Sequence, residues 1–413
     1  MEQENVGLYI GMDISEKYTM ISIYQQHMKE PQTISTIMGS ESYQIPTALA
    51  KKKGVGQWFF GREAKVRVKS GEALGVEDLL DKARTGEEVF LEHEKYAASD
   101  LLAIFLKRVL SLAGSAQAMM PLTKLVICLD KVSVEYMELF SAIMVKLGIE
   151  TDKLLLIDRR ESFYYYALSQ GPETFLHDVV MFDYTESDMV SCRLRRNMHT
   201  TPQVINLDQK NHGKLLDQKD GEFQKIAQDV IDGQVVSAVY LIGDGFDGDW
   251  MKASLQYLCH TRKVFVGKNL YSKGACYAGF IKDGKQDWPF VYIGDNELKL
   301  NLYLKVLVGN EMQFFTLITA GQSWFDEVGE CEVILDGTPE IEVWIQRPES
   351  REAHVELLEL TDMVERERRT SRLRITAEPI SDRKIKITIR DLGFGEIAPS
   401  SNRTWEHTVC LEE

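Results

Sequence analysis

The period of the apolar residues changes once along this 413-residue chain, near residue 288, and that change limits the fold more than anything else in the sequence. Before it, short apolar runs alternate with stretches of helical spacing. Leu125-Val126-Ile127-Cys128-Leu129, Leu154-Leu155-Leu156-Ile157-Asp158, Val179-Val180-Met181-Phe182-Asp183 and 235–242 read as strands, and 132–147, 160–169 and 250–259 as helices. A strand that is apolar at nearly every position needs cover on both faces, which helices crossing over a mainly parallel sheet provide. Gly148 offers the left-handed turn that ends one helix, and Gly171-Pro172 closes the next. Upstream, residues 6–24 form two β-runs joined by Gly11-Met12-Asp13-Ile14-Ser15-Glu16-Lys17, the pattern of a hairpin with an acidic residue at its bend. Short strands follow at Gln44-Ile45-Pro46-Thr47-Ala48-Leu49 and Gln57-Trp58-Phe59-Phe60-Gly61. Across 99–112, Leu101, Leu102, Phe105, Leu106, Val109 and Leu110 share one helical face.

After the change, alternation with period two takes over. Val291, Ile293, Leu298, Leu300, Leu302 and Leu304 are followed by Ile341, Val343 and Ile345, then Leu373 and Ile375, then Ile385, Ile387 and Ile389. This is the signature of an all-β domain with one wet face per sheet. The linker is Asp283-Gly284-Lys285-Gln286-Asp287-Trp288-Pro289, which gives an α/β region over 1–288 and a sandwich-like β domain over 289–413. No tandem repeat is visible in the sequence.

Composition narrows the function classes. With 44% apolar and 27% charged residues the chain is globular, and a formal charge of −15 is the wrong sign for a nucleic-acid surface. Met1-Glu2-Gln3-Glu4-Asn5 lacks the positive start of a signal peptide, and no apolar run approaches the ~20 residues that span a bilayer. The six cysteines, Cys128, Cys192, Cys259, Cys276, Cys331 and Cys410, are scattered without Cys-x-x-Cys pairs. They read as small buried apolar residues of a reducing compartment. The expectation is a cytoplasmic protein that binds neither nucleic acid nor membrane.

Five segments in order carry the functional signal: Ile10-Gly11-Met12-Asp13-Ile14-Ser15; Ile157-Asp158-Arg159-Arg160-Glu161 and the helix after it; Phe182-Asp183-Tyr184-Thr185-Glu186-Ser187-Asp188; Tyr240-Leu241-Ile242-Gly243-Asp244-Gly245; and 269–278 with Gly274-Ala275. Together they resemble the signature of the actin, sugar-kinase and 70-kDa heat-shock chaperone superfamily. The resemblance extends through Phe315-Thr316-Leu317-Ile318-Thr319-Ala320-Gly321 and 374–395, which look like the chaperones' peptide-gripping β-sandwich, without the helical lid that follows it there.

The resemblance implies an actin-like (ribonuclease H-like), two-lobed nucleotide-binding region that holds ATP or ADP with Mg2+. Gly11, Asp13 and Ser15 would form the first phosphate clamp and Asp183 and Thr185 the second, with Asp13 and Asp183 holding the hydrated metal. Glu161 would orient the attacking water, Gly243, Asp244 and Gly245 would hold adenosine, and Lys82, or else Lys65, would face the phosphates. The β domain would take a protein or peptide client.

The departures from that pattern are chemical. Clamp loops are rich in Gly and Thr because backbone N–H groups must reach the phosphates unobstructed. Here the second reads Asp183-Tyr184-Thr185-Glu186-Ser187-Asp188, without Gly and with added carboxylates, and the first has Glu16-Lys17. One carboxylate ~4 Å from a phosphate charge costs about 4 kcal/mol at an effective dielectric of ~20. The short span from Asp183 to Gly243 also implies a reduced outer subdomain in the second lobe.

Each element has a plainer reading beside it. Asp13 is also a turn residue, Glu161 also a solvated carboxylate beside Arg159 and Arg160, and Tyr164-Tyr165-Tyr166 packing rather than stacking on a ligand. Gly243-Asp244-Gly245-Phe246-Asp247-Gly248 fits Gly-x-Gly-x-x-Gly, but its acidic residues oppose pyrophosphate; Asp244, Asp247 and Asp249 lack the twelfth-position Glu of a calcium loop, where Leu255 stands. Arg366, Arg368, Arg369, Arg372 and Arg374 read as the wet face of a strand. The sequence therefore offers a chaperone-like protein whose nucleotide cleft biases its β domain, a weak ATPase at most. Beside it stand a pseudo-ATPase scaffold and, less well supported, a small-molecule kinase.

Overall fold

The computed structural model describes residues 7–37, 40–116, 121–185, 188–325 and 327–411. It is a mixed α/β protein with a β-rich C-terminal region, and its contacts group the chain into two units. The first comprises Met1–Arg195 and Leu207–Trp288; the second comprises Arg196–Asn206 and Pro289–Glu413. No compositional shift marks the short excursion at 196–206.

Two large sheets dominate the first unit. One is built from β1 (Leu8–Ile14), β2 (Tyr18–Tyr24), β3 (Gln32–Thr33), β4 (Leu122–Leu129) and β5 (Leu154–Asp158) in the order β5-β4-β1-β2-β3. β1 runs antiparallel to β2 and parallel to β4, and β4 runs parallel to β5. The helices α1 (Ala98–Ala116) and α2 (Val134–Leu147) link its strands, and α3 (Arg159–Leu168) leaves it. The other sheet uses β6 (Asp178–Asp183), β7 (Val190–Asn197), β8 (Gln203–Asn211), β9 (Val236–Ile242) and β10 (Lys263–Gly267) in the order β10-β9-β6-β7-β8. Its first strand is again antiparallel to the second and parallel to the fourth. The helix α4 (Lys219–Ile231) precedes β9 and α5 (Leu270–Lys282) leaves the sheet. Order and sense thus repeat, a duplication no residue pattern announced.

The two departing helices exchange partners. Phe163 and Tyr166 of α3 pack edge-on against Tyr240 of the second sheet. Along α5, Tyr277 and Phe280 pack on Tyr24 of the first, and Phe280 also meets Tyr9. Gly274 permits the crossing, since a Cβ there would lie 2.2 Å from the Ser162 carbonyl oxygen. Gly11 serves the same end, as its Cβ would lie 2.1 Å from the Ser272 carbonyl. Being covered on both faces, all seven β1 residues are buried, which explains the unbroken apolar run.

Several elements differ from the sequence expectation. Helices at Gly61–Lys69, Leu79–Thr85 and α4, strands β7 and β8, and the hairpin Glu88–Leu91 with Glu94–Ala97 are too polar to show a clear period. The helix expected at 250–259 shrinks to Ala253–Leu258, because Asp220 draws the Lys252, Ala253 and Ser254 amides into a tertiary cap that fixes its start. Those hydrogen bonds outweigh burial and hold the Asp220 carboxyl down at about 2. All six cysteines are free, yet Cys259 is exposed rather than buried. Among the described residues no helix is long and apolar enough to cross a membrane.

The second unit contains β11 (Phe290–Tyr292), which pairs with Gln203–Ile205 of β8, and two four-stranded antiparallel sheets. The first is ordered β13-β12-β15-β16, from β12 (Asn301–Val308), β13 (Glu311–Ile318), β15 (Glu340–Gln346) and β16 (Ala353–Glu359). The second is β14-β17-β18-β19, from β14 (Gly329–Leu335), β17 (Ser371–Ser381), β18 (Lys384–Asp391) and β19 (Thr404–Cys410). Leu302, Leu304, Val343 and Ile345 from one and Leu373, Ile375, Ile387 and Ile389 from the other form one core. The basic cluster is split by this geometry. Arg372 and Arg374 do lie on the wet face against Glu332, and Arg368 and Arg369 bind Asp336. Arg366 does not: it is buried, forking onto both oxygens of Asp391 at 2.8 and 2.7 Å.

Candidate functional site

The C-terminal ends of β1 and β6 occupy equivalent places in the two sheets, and each carries an aspartate, Asp13 one residue before the end of β1 and Asp183 at the end of β6. Asp13 is buried, and its Oδ1 accepts from Arg159 Nε at 3.3 Å. Arg159 is the first residue of α3; its guanidinium lies 5.1 Å from the ring centre of Tyr271 on α5. The Tyr271 hydroxyl donates to Asp183 Oδ2 at 2.5 Å, while Asp183 Oδ1 accepts from the Thr185 amide at 2.8 Å and from the Thr185 hydroxyl. A chain of four side chains, Asp13–Arg159–Tyr271–Asp183, therefore joins the two strand ends.

Electrostatics follow the burial. Burial pushes the Asp13 carboxyl up, against the pull of Arg159, and the nearby charge of Asp183 adds to the rise. Burial works against the charge of Arg159, but Asp13, Tyr271 and Asp183 outweigh it and hold the guanidinium charged. Burial, and then Asp183, pushes the Tyr271 hydroxyl well up, so it stays a proton donor.

Glu161 sits elsewhere. Its amide is capped by Asp158 Oδ1 at 2.8 Å, and its carboxylate pairs with Lys282 Nζ at 2.7 Å, its side chain only 4% exposed. Lys282 is the last residue of α5, ~16 Å along the axis from Tyr271 at 1.5 Å per residue. The solvated reading of Glu161 is thus corrected: it is a buried ion pair. Lys82 donates to the Glu77 carbonyl at 2.9 Å on the helix Leu79–Thr85 and does not join the aspartates. Lys65 lies over the Tyr18 ring, in a cavity of about 320 Å3 that Arg62, Gln44 and Lys268 also line.

The remaining expected residues are absorbed by packing. Ser15 closes its hairpin, its hydroxyl donating to the Tyr18 carbonyl and accepting from the Tyr18 amide. Glu16 turns to the N-terminus of the helix Leu79–Thr85, taking the Asp81 amide at 2.5 Å. A Cβ on Gly243 would lie 2.5 Å from the Thr185 amide nitrogen, and one on Gly245 would strike the Tyr184 ring. Both glycines exist for this close approach, and the Gly11 Cβ position is filled by α5. Asp244 accepts from Gln44 at 3.0 Å and pairs with Lys268 at 2.7 Å. Tyr164, Tyr165 and Tyr166 pack on Trp288, Tyr240 and Tyr277. Glu186 and Ser187 of the second clamp lie outside the described residues.

The residues do not fit a hydrated magnesium ion. Both Asp183 oxygens are already hydrogen-bonded, Asp13 already faces a fixed cation, and the Arg159 side chain is only 14% exposed. Among the described residues no group of three or more His, Cys, Asp or Glu is placed to hold a metal. Sequence reasoning read Arg159 as surface charge. The available signal was its position: two arginines opening a helix oppose the helix dipole, so a tertiary partner must hold them.

A second candidate lies on the outward face of the sheet β13-β12-β15-β16. Leu307 sits opposite Met312, Lys305 opposite Phe314, Tyr303 opposite Trp344, and Trp344 opposite Val355. Leu307, Met312, Phe314, Val355 and Leu357 are exposed, and Phe314 packs edge-on against Trp344. The Trp344 indole N–H meets no acceptor among the described residues.

Fold and site together define a protein of two repeated α/β sheets whose strand-end aspartates are tied by an internal arginine, followed by a β-rich region. Residues 30–295 match the model of a family described as "Family of unknown function (DUF5716) C-terminal", and residues 297–411 match "Domain of unknown function (DUF8552)". The first match covers more than half the chain, so the chain belongs to that family. No curated protein matches it.

Proposed function

We propose that this protein is a divergent, non-hydrolysing relative of the actin, sugar-kinase and heat-shock chaperone superfamily, a pseudo-ATPase scaffold that binds extended apolar protein segments through its C-terminal β domain. The single observation that carries the binding reading is the face on which Leu307, Met312, Phe314, Val355 and Leu357 are exposed around a half-buried Trp344. Exposed aromatic and long aliphatic side chains clustered on one sheet face, here beside Lys305 and Glu342, mark interaction sites. β13 and β16 are the terminal strands of that sheet, so a segment can add its backbone to an edge while its side chains lie on the face.

The superfamily reading is supported by the repeated strand order and by the exchange of α3 and α5 across the two sheets. Absence of hydrolysis is supported by the Glu161–Lys282 pair, which commits the expected water-orienting carboxylate to a lysine. The nucleotide-coupled reading is the weaker, because the clamp and adenosine glycines are taken up by packing.

Fluorescence polarisation of the full chain with a labelled extended Leu/Val-rich peptide tests the binding reading. Saturable binding that falls at least about tenfold in Phe314→Glu is expected. No saturable binding, or binding indifferent to Phe314→Glu and Leu357→Glu, would sink it.

A further inference from the structure

We propose that Arg159 is a built-in counter-cation: it neutralises the aspartate pair at the two strand ends, and it is what keeps a divalent metal out of the crossing. The proposal stands on the crossing alone and survives failure of the peptide-binding reading.

Two nearby carboxylates repel, and burial penalises the charge of Asp13, so the fold needs a positive charge there. A hydrated divalent ion would answer that need, but it requires free carboxylate oxygens and room for several waters. Asp183 has no free oxygen, and around Asp13 there is no room for the waters. Asp13 Oδ1 faces Arg159 at 3.3 Å, the Asp13 side chain is only 5% exposed, and both oxygens of Asp183 are engaged by Tyr271 and Thr185. Arg159 answers the same need from within the chain. Its guanidinium never loses its proton, is less strongly hydrated than an ammonium, and lies over an aromatic ring, here Tyr271, 5.1 Å from the ring centre. Asp130, 3.9 Å from Arg159 Nη1, adds a third acidic neighbour at the mouth. With Arg159 removed, Asp13 and Asp130 would be left without their cation while Tyr271 still holds Asp183 in place. That donor set of carboxylate oxygens suits a hard divalent ion such as Mg2+ or Mn2+.

The test uses Mn2+ as a paramagnetic probe, titrated into the full-length chain and read by electron paramagnetic resonance. In the wild type, no bound Mn2+ that depends on Asp13 is expected at millimolar metal. In Arg159→Ala, bound Mn2+ is expected to appear, with affinity raised about tenfold or more over wild type, and to vanish in Arg159→Ala/Asp13→Asn. Arg159→Gln, which keeps the bulk and a hydrogen bond to Asp13 but not the charge, serves if the alanine variant does not fold. Two results overturn the proposal. One is wild-type Mn2+ binding that Asp13→Asn abolishes; the other is a folded Arg159→Ala or Arg159→Gln that gains none. Should neither variant fold, the wild-type titration decides, since Asp13-dependent binding contradicts exclusion and its absence supports it.

Discussion

Each unit of this protein joins a buried aspartate to a largely covered arginine, Asp13 to Arg159 and Asp391 to Arg366, and the two pairs are built differently. In the second unit, Arg366 meets Asp391 with two parallel bonds at 2.8 and 2.7 Å, and Asp391 also accepts from the Ser401 amide at 2.8 Å, the Ser401 hydroxyl and the Gly393 amide. Against burial, these donors hold the Asp391 carboxyl well below the usual range. In the first unit, Arg159 offers Asp13 one bond at 3.3 Å, and burial wins, pushing that carboxyl up. A pair whose every lone pair is satisfied fastens loops, as Asp391 ties 366 to 393 and 401. A pair left short of donors leaves burial to raise the carboxyl's hold on its proton.

The contrast can be broken at four points. Asp391→Asn strands a buried guanidinium and several amides, and is expected to cost about 3–5 kcal/mol, seen as a lowered denaturant midpoint followed by the emission of Trp344 and Trp405. Gly274→Ala drives a methyl into the Ser162 carbonyl where α3 and α5 cross, and should cost about 1–3 kcal/mol by the same measurement on the first unit, showing that this crossing depends on close backbone packing as well as charge. Asp13→Asn should cost less, about 1–2 kcal/mol, because Asp183 and Asp130 remain near Arg159. Lys82→Ala, on the helix Leu79–Thr85, should stay within about 0.5 kcal/mol.

Acid sharpens the comparison because the two shifts have opposite signs. A depressed folded pKa gives stability that is present above the ordinary carboxylate value and lost as pH falls below it, so the deficit of Asp391→Asn relative to wild type should shrink in acid. A raised folded pKa does the reverse: the folded state holds the proton more tightly, and wild type should gain on Asp13→Asn as pH falls through that raised value. Equal slopes for both variants between neutral pH and about pH 3, near the lower end of the carboxylate range, would remove the distinction.

Much of the fold was legible beforehand. The runs at 125–129, 154–158 and 179–183 are buried strands, and the alternation at 341–345, 373–375 and 385–389 is the inward row of two sheets. The polar strands β7 and β8 and the helix α4 were not legible, since most of their residues are exposed or only half-buried and no period stands out. Of the candidate site, Asp13 and Asp183 were picked out by the resemblance of their segments to two phosphate clamps, with Asp13 placed in the hairpin bend rather than inside β1, where it lies, but Arg159, Tyr271 and Lys282 were not.

The sequence by itself determined where apolar faces recur, and therefore which segments are strands, which are helices, and where the α/β region gives way to β structure. That information is local, because each side chain's face follows from its place in a period of two or 3.6 residues. Only the tertiary structure decided what the charged groups do. Arg159 finds Asp13 from 146 positions away, and the Tyr271–Asp183 bond spans 88 positions. Glu161 finds Lys282 at the far end of α5. Charges choose partners by distance in space and by the loss of water around them, and neither quantity is written in the spacing of residues along the chain.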